Sequence, residues 1–342
     1  SAGLSAALKA KYPHLSSFAA LKVPEAARAA LKGQLVAWAQ GADGKLLDAT
    51  GVQVYGVLDD LYASSEALGV VWSAGKPTLK LWAPTAQSVK LHLFDTAGGP
   101  ETLVKDLLEK NGVWSLAGDS SWKNKYYFYE ISVYAPSTQK LERNLVTDPY
   151  SLGLSLNSGR SRIVDLSDPS SKPTGWDALK KPALKNLMDL SLYELHIRDF
   201  SASDSSVPLA QRGTYLAFTQ AASSGVKHLK MLAQSGLKAV HLLPSFDIAT
   251  IEEDRSKWET PDEKALKKFA PDSEGQQAAL EPTRDTDGFN WGYDPLHFTA
   301  PEGSYASSAA EGATRVALIV DDIIGQQQVV IKSLEENFER VE

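Results

Sequence analysis

The stretch LSLYELHI at residues 190–197 opens the part of the chain that decides the fold. It is an apolar strand candidate, and the segment SGVKHLKMLAQSG at 224–236 follows it with apolar residues recurring along one helical face. A second apolar strand candidate, LKAVHLLP at 237–244, comes directly afterwards. Strand, helix and apolar strand in this order are typical of a parallel β-α-β unit, so residues from 188 onwards are predicted to form an α/β region.

Upstream of a connector rich in Pro, Ser and Asp at about 165–187, apolar and polar residues alternate with a period of two. The alternation is clear in VKLHLF at 89–94 and returns in YYFYEISVY at 126–134, and Gly-Gly and Asn-Gly pairs separate the segments. Such alternation bounded by turn residues predicts β-strands. Residues 76–165 are therefore predicted to form a small β-sandwich, preceded by a separate N-terminal segment at 1–75.

Length, charge and composition restrict the classes of function. A chain of 342 residues exceeds what one hydrophobic core usually organises, so several domains are expected. The formal net charge of −7 argues against nucleic acid or an anionic membrane as a partner and favours a neutral or small substrate. The chain has no cysteine, which excludes disulfides and thiolate catalysis. The compartment stays open, with export favoured over the cytoplasm.

An acidic and polar segment at about 250–287 has weak periodicity and is interpreted as a long insertion after the second strand. Its acidic run, Glu252, Glu253 and Asp254, offers the oxygen ligands that calcium prefers. A solvated surface is the favoured interpretation of this run. No metal site is therefore predicted, and calcium remains an alternative.

Two histidines and two aspartates lie at the predicted strands. His196 and His241 fall inside the strand candidates, where we expect buried structural histidines. Asp199 and Asp247 follow the two strands, at the end where barrel enzymes place their sites. We interpret both aspartates as groups that order loops.

The stretch FNWGYDP at 289–295 has the residue types that sugars need. Aromatic rings stack on the apolar faces of pyranose rings, and amide or carboxylate groups bind the hydroxyls. On composition alone, an alternative in which Trp291 and Tyr293 cap the edge of a core has equal weight.

Several stretches in order resemble one enzyme family. GFNWGYDPLHFTAPEGSYAS at 288–307 is similar to the YNWGYDP signature of bacterial type I pullulanases and plant limit dextrinases, in glycoside hydrolase family 13. LYELHIRDFS at 192–201 and GLKAVHLLPSFDIATI at 236–251 resemble the first two strands of the family's barrel. PTLKLWAPTAQSVKLHLFD at 77–95 is similar to the sandwich module that precedes it.

The resemblance implies a multidomain chain in which a carbohydrate-module-like β-sandwich precedes the incomplete first part of a (β/α)8 barrel at 188–315. Tyr293 matches the family tyrosine that stacks on the sugar ring just before the scissile bond, and Asp294 lies beside it. Asn290 and Trp291 belong to the same motif, with local scaffolding of the loop as the alternative role. The implied partner is an α-glucan such as pullulan, amylopectin or a limit dextrin.

The family's catalytic residues have no match in this chain. Retaining hydrolysis needs two carboxyl groups about 5 Å apart, and the family's nucleophile and general-acid patterns do not occur here. No catalytic residue is predicted. The tail at 316–342 instead resembles part of the CheW-like domain of chemotaxis sensor kinases, so we expect an artificial junction near 314–317. In a milder alternative, ALIV at 317–320 supplies a third barrel strand.

Three functional hypotheses follow. The first is a debranching α-1,6-glucosidase of the pullulanase type, present here as a fragment that lacks the catalytic carboxylates. The second is a non-catalytic α-glucan-binding protein. The third, resting on the tail alone, is a chemotaxis signalling module.

Overall fold

A computed structural model describes residues 2–17, 19–20, 27–172, 175–178, 186–284 and 286–307. The tail at 316–342 and the expected junction near 314–317 lie outside the described residues, so the predictions made for them stay predictions. No helix within the described ranges has the length and apolar character needed to cross a membrane.

The strands, in chain order, are β1 (Ala2–Gly3), β2 (Ala19–Ala20), β3 (Val36–Gln40), β4 (Leu46–Gly51), β5 (Gly69–Ser73), β6 (Lys76–Trp82), β7 (Ala86–Phe94), β8 (Glu101–Asp106), β9 (Leu108–Lys110), β10 (Val113–Ala117), β11 (Tyr126–Ala135), β12 (Lys140–Val146), β13 (Ser161–Arg162), β14 (Leu192–Leu195), β15 (Ala239–Leu242), β16 (Phe246–Ile248) and β17 (Pro295–Pro301). The helices are α1 (Ala6–Lys11), α2 (Ala27–Ala30), α3 (Tyr55–Tyr62), α4 (Ser224–Gln234), α5 (Glu263–Leu266) and α6 (Gly275–Leu280). Short 3-10 turns connect many of these elements.

The middle of the chain is a β-sandwich of two antiparallel sheets. One sheet has the strand order β5-β6-β10-β9, and the other has the order β12-β11-β7-β8 with β13 added to β11. The alternation predicted for 89–94 is confirmed, because Val89, Leu91 and Leu93 are all buried in the core between the sheets. Each such side chain contributes about 2 kcal/mol by leaving water. The sandwich starts earlier than the predicted residue 76, since β5 pairs with β6 from Gly69 onwards.

A buried carboxylate closes one end of this core. Asp148 accepts hydrogen bonds from the hydroxyls of Tyr127 at 2.8 Å and Tyr129 at 3.3 Å, and from the backbone N–H of Tyr150 at 2.8 Å. Burial raises the pKa of Asp148, and the hydrogen bonds from its partners oppose that rise. The carboxylate therefore satisfies donors that the core would otherwise leave without an acceptor.

The N-terminal region contributes a β3–β4 hairpin and the helix α3. Leu58 and Tyr62 of α3 pack with Leu31, and the backbone carbonyl of Tyr62 accepts a hydrogen bond from Trp82 Nε1 at 2.8 Å. This contact attaches α3 to the first sheet of the sandwich.

The C-terminal region contains the predicted β-α-β unit. β14 and β15 are parallel, and α4 lies between them in the chain. The helix begins after Ser223, whose hydroxyl accepts a hydrogen bond from the N–H of Val226 as an N-cap. Within 186–284 and 286–307 these strands form a two-stranded sheet, and β16 and β17 form a separate antiparallel pair. The described part of the chain is multidomain and mostly β-sheet, and it contains no closed barrel.

Candidate functional site

The FNWGYDP loop at 289–295 is shaped by Gly292. This residue has a φ of 84°, in the left-handed region that favours glycine. A Cβ added there would lie 2.8 Å from Cβ of Pro244 and 3.2 Å from Cδ1 of Ile248. Glycine therefore lets the loop lie directly against the chain that leaves β15.

Asn290 and Asp294 hold the loop in place. Asn290 Oδ1 accepts from the N–H of Gly292 at 2.8 Å, and its Nδ2 donates to the carbonyl of Thr250 at 3.0 Å. The carboxylate of Asp294 accepts from the N–H of Thr250 at 3.1 Å and also from the Thr250 hydroxyl. Both polar side chains of the motif thus form hydrogen bonds with Thr250 that fix the loop.

Trp291 and Tyr293 present their rings to solvent. Trp291 is 53% exposed and meets the rings of His196 and Phe289 edge-on, at 5.8 and 5.2 Å between centroids. Tyr293 is 72% exposed. The alternative in which both rings cap a core edge is wrong for Tyr293, because most of the surface of this residue is exposed to solvent.

His196 connects the loop to the end of β14. It is buried, as predicted, and its Nε2 lies 3.0 Å from the carbonyl of Asn290 and 3.0 Å from the hydroxyl of Tyr305. Burial lowers the pKa of His196, which favours the neutral ring. His196 therefore packs against the buried side of the loop, where it contacts the Asn290 carbonyl and the Trp291 ring.

The expectation of a buried histidine is wrong for His241. Its side chain is 62% exposed and lies 3.1 Å from Glu194, because β15 is covered on only part of its surface. Asp199 is partly exposed and pairs with Arg198 at 2.9 Å.

The expected solvated surface at residues 252–254 is wrong for Glu253. Glu253 is 8% exposed and lies in a buried cluster with Asp247, 1% exposed, and Glu302, 0% exposed. Burial together with the neighbouring carboxylates raises the pKa of Glu253 to about 8. Burial also raises the pKa of Glu302 to about 7. Sequence reasoning missed Glu302, although the Glu-Gly pair at 302–303 lies inside the matched motif.

Groups near the end of the sandwich hold Asp247. His297 Nδ1 lies 2.6 Å from the Asp247 carboxylate, and its Nε2 lies 2.8 Å from the hydroxyl of Thr147. The hydroxyl of Ser158 donates to Asp247 at 2.7 Å. Asp247 orders the loop after β15, as expected, and it does so through partners about 90 and 50 residues away in the chain.

Glu253 is held by Asn157, the neighbour of Ser158 in the chain. The backbone N–H of Asn157 donates to the Glu253 carboxylate at 2.6 Å, and Asn157 Oδ1 accepts from the Glu253 N–H at 2.9 Å. Asn157 and Ser158 both have left-handed backbones, with φ of 52° and 53°. The turn at Asn157 and Ser158, which follows the sandwich strand β12, therefore contacts the carboxylates of Glu253 and Asp247 directly.

Known protein domains match two parts of the chain. Residues 1–60 match the Pullulanase N2 domain. Residues 67–151 match carbohydrate-binding module 48, also described as the isoamylase N-terminal domain. The second match coincides with most of the sandwich.

Two pullulanases align with nearly all of this chain. Chloroplastic pullulanase 1 of Arabidopsis thaliana is 42% identical over 312 residues, which cover 90% of this chain and 32% of the relative. The pullulanase of Klebsiella pneumoniae is 41% identical over 350 residues, with coverages of 90% and 32%. This chain therefore spans about a third of the length of the curated relatives it matches.

Solved structures agree with the sequence matches. The Klebsiella pneumoniae pullulanase complexed with maltotriose superposes with a TM-score of 0.84 at 36% identity, covering 92% of this chain and 34% of that one. A Paenibacillus barengoltzii pullulanase in complex with maltohexaose and α-cyclodextrin gives a TM-score of 0.60 at 27% identity, with coverages of 78% and 37%. In sequence and in fold, this chain is homologous to the N-terminal portion of pullulanases, with their N2 domain and a carbohydrate-binding module 48.

Proposed function

We propose that this chain is the α-glucan-binding portion of a pullulanase-type debranching α-1,6-glucosidase and does not cleave glucan by itself. The observation that carries the proposal is the loop at 289–295, which holds two exposed aromatic rings on a fixed polar scaffold. Exposed rings with fixed polar neighbours are what a sugar needs for stacking and hydrogen bonding. The relatives complexed with maltotriose and maltohexaose support an α-glucan as the ligand.

The β-α-β unit is the proposed opening of a (β/α)8 barrel at 188–315. Barrel enzymes place their sites at the carboxyl ends of the strands. The loop at 289–295 contacts this end of both strands, through His196 after β14 and Pro244 after β15. The domain boundaries stay part of this proposal, with the start of the sandwich moved to Gly69.

Affinity electrophoresis through gels containing amylopectin or pullulan tests glucan binding. Retarded migration of the wild-type chain is expected, and Tyr293→Ala should weaken binding about 10-fold, because a stacked aromatic ring is worth on the order of 1.4 kcal/mol. Tyr55→Ala is the matched control, since Tyr55 is 77% exposed in α3 and far from the loop in the chain. Unretarded migration of the wild-type chain would overturn the proposal.

A hydrolysis assay separates the binding portion from a complete enzyme. The chain is expected to release no maltotriose from pullulan, since no pair of carboxylates in it matches the family's nucleophile and acid. Release of maltotriose that scales with the concentration of purified chain would refute the non-catalytic part of the proposal. Glucan retention without hydrolysis would support it.

A further inference from the structure

Two arginines, Arg198 and Arg255, meet beside the loop at 289–295. Arg198 follows β14, and Arg255 begins a 3-10 turn in the polar segment after β16. Both side chains approach Gly213, because a Cβ added to Gly213 would lie 3.3 Å from Cγ of Arg198 and 3.3 Å from Nη2 of Arg255. Gly213 has a φ of 69°, in the left-handed region, so this position favours the residue that leaves the space beside the arginines unfilled.

The positive charge of the pair exceeds the negative charge that faces it. Asp199 lies 2.9 Å from Nη1 of Arg198, and among the described residues no carboxylate forms an ion pair with Arg255. Nη2 of Arg255 donates instead to the backbone carbonyl of Arg212 at 2.7 Å. Burial and the charge of Arg198 lower the pKa of Arg255. Two cations beside one carboxylate leave one positive charge for an anion to neutralise.

The two guanidinium groups retain donors for such an anion. Each guanidinium has five N–H groups in a planar fork. Within the described part of the chain, Arg198 donates to Asp199 through Nη1, and Arg255 donates to Arg212 through Nη2. Each arginine therefore keeps its Nε and its other Nη for a further acceptor. The side chain of Arg198 is 29% exposed and Arg255 is half-buried, so neither residue is sealed from solvent.

Aromatic rings hold both guanidinium groups. Cζ of Arg198 lies 5.3 Å from the centroid of the Phe289 ring, and Cζ of Arg255 lies 4.9 Å from the centroid of the Trp258 ring. The ring of Phe289 in turn meets the ring of Trp291 at 5.2 Å between centroids. The arginine pair is therefore pre-organised, and it adjoins the exposed rings of the loop at 289–295.

We propose that Arg198 and Arg255 together bind one phosphoryl group of the phosphate monoester class. Such a group has three terminal oxygens and a charge of about −1.5 to −2 at neutral pH, so it can accept from both guanidinium forks. The two oxygens of a carboxylate, in contrast, are matched by a single fork.

Two sources of the phosphoryl group fit this chemistry. One is free inorganic phosphate, and the other is a phosphorylated sugar of an α-glucan bound at the neighbouring loop. The glucan-borne source rests on the function proposed above, whereas binding of free phosphate does not. The two sources therefore need separate measurements.

Isothermal titration calorimetry of the full chain with sodium phosphate at low ionic strength tests the site. We expect saturable binding of one phosphate per chain. Arg255→Gln should weaken this binding about 10-fold or more, because charge-assisted hydrogen bonds are lost. Arg255→Lys should also weaken it, because a lysine keeps the charge and lacks the fork. Arg28→Gln is the matched control, since it removes the same charge from an exposed residue of α2, and it should bind phosphate as the wild type does.

Affinity electrophoresis distinguishes the two sources. The gels contain phosphorylated amylopectin, either intact or after treatment with a phosphatase. A glucan-borne group predicts stronger retardation by the intact polymer, and Arg255→Gln should lose this difference while its retardation by the treated polymer stays unchanged. Equal retardation of the wild-type chain in both gels, together with phosphate binding, would identify free phosphate as the ligand and exclude the glucan-borne source.

Two results would overturn the arginine site: no binding of inorganic phosphate by the wild-type chain up to roughly 10 mM, or equal affinity for phosphate in the wild type and Arg255→Gln. Circular dichroism establishes that each variant is folded. If Arg255→Gln does not fold, Arg255→Lys decides in its place, and unchanged affinity in that variant overturns the proposal. Loss of glucan retention in both gels would contradict the proposed function and leave the phosphate titration as a test of the arginines.

Discussion

Replacing Asp148 by alanine tests whether the carboxylate at the end of the sandwich core stabilises the fold through its buried donors. Asp148 accepts from the hydroxyls of Tyr127 and Tyr129 and from the N–H of Tyr150. Both Tyr127 and Tyr129 are 0% exposed, so Asp148→Ala leaves two fully buried hydroxyls without this acceptor.

The magnitude follows from these donors. A buried donor left without an acceptor costs about 1–3 kcal/mol. Water that enters the space of the removed carboxylate recovers part of this cost, and removing a group whose burial raises its pKa recovers a further part. We expect Asp148→Ala to lower the free energy of unfolding by about 3 kcal/mol, a large share of the 5–15 kcal/mol typical of a domain.

Urea unfolding followed by tryptophan fluorescence measures this loss, because Trp114 and Trp122 lie in the same core. Hydrogen exchange of β11 locates it, since Tyr127 and Tyr129 belong to that strand. Tyr127→Phe provides the control for mechanism. It should destabilise the wild-type chain and stabilise the Asp148→Ala chain, because in the second case it removes a hydroxyl that has lost its acceptor.

Two results would refute this reasoning. One is a loss below about 1 kcal/mol for Asp148→Ala, which is the cost of a single ordinary hydrogen bond. The other is an effect of the same sign for Tyr127→Phe in both backgrounds, which would show that the hydroxyl does not depend on the carboxylate.

Two further predictions concern the loop and a surface ion pair. Gly292→Ala should abolish most retardation in amylopectin gels, because the strained backbone costs about 1–2 kcal/mol and the new Cβ displaces the loop. Gly75→Ala is the control and should keep the retardation, because Gly75 also has a positive φ, 74°, but nothing lies within 4 Å of its added Cβ. Equal losses of retardation in the two variants would contradict the steric argument. Lys123 and Ser170 lower the pKa of Asp168 to about 2 from its ordinary value of 3.8, so the ionised form stabilises the fold above pH 3.8 and this contribution is lost as the pH falls towards 2. The difference in urea midpoint between wild type and Asp168→Asn should therefore shrink over that interval, and a constant difference would contradict it.

Local patterns were sufficient to predict two central strands of the sandwich, β7 and β11, and the β-α-β unit. Val89, Leu91 and Leu93 face one core, as the period of two in the sequence predicts. Burial itself does not alternate there, because His92 and Phe94 on the opposite face are also buried. The segment 224–236 forms α4 because a serine cap precedes an amphipathic run and Gly236 ends it with a φ of 109°.

The burial of the acidic groups could not be predicted from local patterns. Glu253 lies in a polar segment, and its burial depends on Asn157, 96 residues earlier, and on Glu302 after β17. The prediction for His241 was wrong in the opposite direction: a buried side chain was expected, and the side chain is exposed. A strand candidate predicts a buried side chain only where a neighbouring layer covers the strand. The two aromatic rings of the loop at 289–295 are exposed, and their role in glucan binding stays a prediction.

The turn at Asn157 and Ser158 limits how this chain can recombine with its relatives. The connector at about 165–187 is the obvious breakpoint for exchanging a sandwich between homologues, yet the turn lies upstream of it and its partners Asp247 and Glu253 lie downstream. A chimaera joined at the connector inherits the two halves of this contact from different parents. Hybrid proteins should therefore tolerate exchange only when both halves are taken from the same parent.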